Sequence, residues 1–146
     1  MVKIDAEKSL TDYIWSRLTD DATLQGIMGG TVRLYLTWAK EDAAFPYLVH
    51  RLEIRKEPGA HPVQAATHYL DIWHDGDDAD TVFSIRERLM QLLGQLDFNT
   101  DDVSLVSIEW QTGGFVAQAE QGIWHYATMW EWTFRRDTEA TAIEGR

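Results

Sequence analysis

The side chains best suited to chemistry crowd into one short stretch: Asp71, His74, Asp75, Asp77, Asp78 and Asp80. Carboxylates beside an imidazole could hold a hard cation or a catalytic metal. The spacing does not fit. A calcium loop wants glycine at its sixth position and glutamate at its twelfth. Counted from Asp75, Gly76 comes second and Arg86 stands twelfth. Asp71 and His74 are an odd number of positions apart, so on a strand they point to opposite faces. The same acids suit a plainer role. Asp77, Asp78 and Asp80 precede or open a helical pattern, where the macrodipole favours negative charge. No metal and no cofactor is expected.

The histidines do not make a constellation by spacing alone. His68 and His74 share a strand face but sit about 20 Å apart along it. His61 falls in a proline-containing loop, and His50 and His125 fall on other strands. Whether any of them converge is left open by the sequence. There is no cysteine, hence no thiolate ligand, Cys nucleophile or disulfide framework. No phosphate-cradling glycine loop, Gly-x-Ser-x-Gly elbow or His-Glu-x-x-His pair occurs. The chain reads as a non-enzyme.

The elements around these residues are organised by the stretch from Gly122 to Arg136. Trp124, Tyr126, Thr128, Trp130, Trp132 and Phe134 alternate with Ile123, His125, Ala127, Met129, Glu131 and Thr133. Period two in aromatic and β-branched residues predicts a long strand with one buried face. Four more strands are expected before it. Thr31 to Trp38 would bury Val32, Leu34, Leu36 and Trp38, and the run after Phe45-Pro46 would bury Leu48, Leu52 and Ile54. Thr67 to His74 would bury Leu70 and Ile72, and Val103 to Gln111 would bury Val106, Ile108 and Trp110. Gly113-Gly114 reads as a bulge. Leu10, Tyr13, Ile14 and Leu18 make one helical stripe; Val82, Ile85, Leu89, Leu92, Leu93 and Leu96 make another. A short turn between the first helix and the first strand, capped by Asp20 or Asp21, ends at Gly29-Gly30.

These parts predict an α+β domain over residues 1–136, a mostly antiparallel sheet of about five strands with two main helices packed on one face. Residues 137–146 are expected to be a flexible tail, its last four spelling a factor Xa cleavage sequence and left out of fold reasoning. With the helices on the even-numbered face, the other face carries Arg33, Tyr35, Arg51, Glu53, Arg55, Tyr69, Trp73, His125, Met129 and Glu131. Aromatics mixed with arginine and methionine are the composition of a protein–protein interface. The loop from Ala39 to Phe45 is the second place to look.

The net charge of −11 speaks against an electrostatic grip on nucleic acid. No apolar run is long enough to span a membrane and no signal pattern opens the chain, so no membrane partner is expected.

Five segments in order resemble the tail completion (tail terminator) proteins of long-tailed bacteriophages and related gene transfer particles. They are LTDDATLQGIMGG, VRLYL, FPYLVHRLEI, LDIWHDGDDADTVFSIRERLMQLL and the closing GIWHYATMWEWTFR. The Pro46-Tyr47 pair after a charged loop is the most characteristic mark, and the tryptophan load departs from the family's pattern. The resemblance implies a structural virion protein at the head-proximal end of the tail, put together in the host cytoplasm. It implies a ring, commonly of six copies, whose partners are the tail tube protein and the head connector or completion protein. DNA would pass through without specific binding, past a lumen carrying Asp75, Asp77, Asp78, Asp101 and Asp102. The competing expectation is a small-molecule or peptide-binding α+β domain with a pocket between sheet and helices.

Overall fold

A computed structural model describes residues 6–55, 63–99, 103–117 and 122–135. The tail expected at 137–146, Asp101, Asp102, His61 and the loop around Pro58-Gly59 and Pro62 lie outside the described residues. The chain is α+β. Helix α1 (Ala6–Thr19) and a one-turn α2 (Ala22–Ile27) precede strands β1 (Leu34–Leu36), β2 (Tyr47–Ile54) and β3 (Val63–His74). Helix α3 (Asp80–Leu93) then leads to β4 (Ser104–Phe115) and β5 (Trp124–Arg135).

The sheet order is β1-β2-β3-β5-β4, antiparallel throughout except for the parallel pair β1–β2. The last strand of the chain therefore sits inside the sheet. Along β3 and β5 the even positions are buried without exception from Gln64 to Ile72 and from Tyr126 to Phe134. One hydrophobic cluster joins that face to Leu10, Ile14 and Leu18 of α1 and to Val82, Ile85, Leu89, Leu92 and Leu93 of α3. Trp132 and Phe134 are wholly enclosed in it. The aromatic face of β5 is the core, and the helices cover it.

Asp21 ties the helices together. Its carboxylate accepts the Leu24 backbone N–H at 2.8 Å, capping α2, and takes a two-pronged contact from Arg88 of α3 at 2.7 and 2.9 Å. The hydrogen bonds from Arg88 hold the Asp21 carboxyl below the usual carboxylate range. Gly29 and Gly30, at φ 90° and 115°, end α2 in a conformation that other residues resist.

Two strands differ from the expected pattern. β1 is only three residues long, and Leu36 and Trp38 are exposed, not buried. The chain leaves the sheet at Thr37, which adopts φ 70° while Trp38 N–H donates to Leu36 O at 2.8 Å. In β4 the bulges fall between Leu105 and Ser107 and between Trp110 and Thr112, not at Gly113-Gly114, which pair regularly with Thr128 and Ala127. The first bulge puts Leu105 opposite Phe134 and leaves Val106 in solvent, so Val106 is not a core residue.

Candidate interaction surface

On the uncovered face of the sheet the odd positions of β2, β3 and β5 line up in rows set by register. One row is Tyr47, Trp73 and His125. Trp73 stacks on His125 with ring centres 3.8 Å apart, and Tyr47 lies against the other side of Trp73 at 6.1 Å. Tyr35 and Phe45 extend the row by packing on Tyr47 at 5.9 and 5.1 Å. Asp71 Oδ2 is 2.7 Å from His125 Nε2, fixing the imidazole in the stack.

The next rows are charged. The guanidinium of Arg51 lies 3.8 Å over the ring of Tyr69, within cation–π range, and also meets Glu53 at 3.2 Å. Met129 stands beside Tyr69 in the ladder. Arg55 reaches across β3 to Glu131 on β5 at 2.7 Å. Eight of the ten residues expected on this face, from Arg51 to Glu131, are thus brought together, and Tyr35 joins them through Tyr47. Arg33 is not among them. It precedes β1, and its guanidinium donates to the carbonyls of Met28, Ala44, Phe45 and Pro46 at 2.9–3.2 Å. Arg33 holds the loop before β2; its charge is spent on backbone.

Among the described residues no cluster of three or more histidine, aspartate or glutamate side chains could hold a metal ion. Asp75, Asp77 and Asp78 are exposed on the turn between β3 and α3, where Asp78 accepts the Asp80 backbone N–H at 2.9 Å. The turn is tied to β5 by Trp124 Nε1, which donates to Gly76 O at 2.9 Å.

Two histidines do converge, on the covered face. His50 Nδ1 and His68 Nε2 are 3.4 Å apart, and His68 packs edge-on to Trp132. Burial holds both imidazoles neutral, with His50 lowered to about 4 and His68 well below its ordinary value. Both are buried in the core.

The likeness to known structures lies in the fold. A chain in the virion of native gene transfer agent (GTA) particle superposes with a TM-score of 0.70, over 90% of this chain and 99% of that one, at 14% identity. A gene transfer agent virion contains this fold. A second solved chain agrees at a TM-score of 0.59 and 12% identity, over 90% of this chain and 96% of that one. No family model and no curated protein sequence matches.

Large apolar side chains are exposed at both edges of the sheet, away from its open face, and at Trp15 on α1 and Met90 on α3. At the β1 edge, Trp38 is 76% exposed. At the β4 edge, the helix layer stops short of the last strand. Trp110 and Phe115, both in register with buried β5 residues, remain partly open, as does Phe83 of α3. Phe83 meets Phe115 edge to face at 5.5 Å, and Trp110 leans on Trp130 at 5.0 Å. Of these, Trp38 and Trp110 carry the alternation of a buried strand face, so periodicity alone marks them as core. An unusual density of tryptophan was the only signal.

Proposed function

We propose that the chain is a structural virion protein that assembles as a ring, of six copies, on the head-proximal end of a tail tube. It stops tube growth and joins the tube to the head connector. The observation that carries this reading is the fold shared with a gene transfer agent virion chain over 99% of that chain's length. The surfaces support it: a sheet face of stacked aromatics and paired charges, and apolar edges left uncovered, suit protein partners better than a substrate. The acids at the end of the sheet, Asp75, Asp77 and Asp78, suit a wall that DNA slides past. Assembly takes place in the host cytoplasm and the finished protein stays in the virion. The test is a tube-growth assay. Purified protein added to polymerising tail tube protein from the same genome should shorten the tubes and leave a ring at one end in electron micrographs. Tubes of unchanged length with bare ends would refute the proposal.

A second reading, a small-molecule or peptide-binding domain, draws on an open cleft of about 690 Å³ beside the Asp75–Asp77 turn, lined by Phe115, Trp124 and His125. That cleft lies at the end of the sheet and not between sheet and helices. A thermal-shift screen of small ligands with no stabilised hit would remove this reading.

A further inference from the structure

Trp38 is the most exposed large apolar residue of those described. It is not on a loose loop. Thr37, at φ 70°, closes a three-residue turn through the 2.8 Å bond from Trp38 N–H to Leu36 O, and Thr37 N–H donates to His50 O at 2.8 Å. A β-branched residue at positive φ is strained, and such strain persists only where the surroundings impose it. The turn is anchored on β2 and presents the indole outward. An indole held in solvent by a strained, hydrogen-bonded turn is built as an anchor for a protein contact.

The opposite edge of the sheet offers what such an anchor needs. Phe83, Trp110 and Phe115 rim the uncovered strip between α3 and β4, and Arg86 lies within it, 5.1 Å from the Phe83 ring and 5.7 Å from that of Tyr126. The Arg86 guanidinium is poorly satisfied. Its contacts to Tyr126 Oη and Glu87 are long, at 3.5 and 3.6 Å, and its Nε has no hydrogen-bond partner among the described residues. Beside Trp38 the loop carries exposed Glu41 and Asp42 against a single Lys40, a net negative segment next to the indole.

We infer that one copy of this chain docks on the next by inserting Trp38 into the strip between α3 and β4, with Glu41 or Asp42 meeting Arg86. The inference rests on the proposed ring and names its contact. Knob and strip differ in kind and lie on opposite edges of one sheet, so each copy uses both and the contact is head-to-tail. Contacts of that type close into rings or run on as filaments. A second copy supplies both halves of the match, the indole with its neighbouring acids and the apolar strip with Arg86.

The test uses the full chain with Trp38→Ala and, separately, Phe83→Ser. Both positions are exposed, so thermal melts should match the wild type. In sedimentation the wild type should assemble, and each variant alone should be weakened about tenfold or more, as for loss of a central aromatic anchor. An equimolar mixture should stop at a heterodimer, because one intact Trp38 then faces one intact strip. Wild-type-like assembly by either variant, a mixture that stays monomeric, or a wild type that never associates would overturn the inference. Normal assembly with failed tube capping would count against the proposed function and leave this contact standing.

Discussion

The buried histidine pair makes stability fall with acid, and the size of the fall can be worked out. In the unfolded chain a histidine titrates near 6.5, whereas His50 in the fold is held to about 4 by burial. At pH 7 both forms are neutral and the pair contributes nothing to the pH dependence. As pH drops below 6.5 the unfolded chain takes up a proton that the folded chain refuses, so unfolding gains. For His50 alone linkage gives a loss of about 2 kcal/mol by pH 5 and about 3 kcal/mol once pH is below 4, where the effect levels off. His68 is shifted in the same direction by burial and by its neighbour, so it adds to the loss. Relief of the chain's negative self-repulsion acts oppositely, chiefly as carboxylates titrate. The two are separated by comparing the wild type with His50→Gln in urea melts at pH 7, 6 and 5. The wild type should lose about 2 kcal/mol more than the variant between pH 7 and 5. Parallel losses in the two proteins would show that His50 does not govern acid stability, and would refute the burial reasoning for it.

Trp132→Ala should cost about 3–5 kcal/mol, the range for removing a large aromatic from a packed core, read as a large drop in melting temperature; a silent substitution would overturn the face assignment of β5. Reversing both Arg51 and Arg55 to glutamate should leave melting nearly unchanged, since exposed ion pairs contribute about 0–1 kcal/mol each, while impairing tail joining. Normal joining would remove the open sheet face from the assembly surface. Gel shift with duplex DNA should show no binding even at low salt, where attraction is strongest; micromolar, salt-sensitive binding would sink the conduit role.

The parts of this fold that could be read beforehand are those whose burial follows an unbroken period. β5 alternates without interruption, so its even face, the helices that cover it and the α+β class all follow from local pattern. β1 and β4 were misread where the backbone departs from regularity. Nothing in the alternation of Leu34, Leu36 and Trp38 reveals that the chain turns off at Thr37. Each β4 bulge moves the period by one, and the first turns Leu105 instead of Val106 toward the core. Arg33 looked like a strand residue because sequence does not tell where backbone carbonyls converge. The His50–His68 meeting depends on the β2–β3 register, in which Leu52 opposes His68 and His50 sits diagonally to it. The open-face cluster was legible because β2, β3 and β5 keep one parity throughout; the edge surfaces were not, because apolar residues at an edge carry the same signature as apolar residues inside.

The position of β5 sets when this protein can come into being. Strand β3 gains its second neighbour, and β4 its place in the sheet, only from β5, and Val63 must wait for Arg135, 72 residues later, to complete its ladder. Such long-range pairing folds slowly, because distant segments must be brought together before their contacts form. During synthesis, nearly the whole domain has emerged before the strand that joins its halves is available. A chain cut short before Trp124 lacks both the strand between β3 and β4 and the aromatic part of the core that β5 supplies. Until β5 is made, β4 has no ladder partner among the other described strands, and the sheet that the helices cover is incomplete.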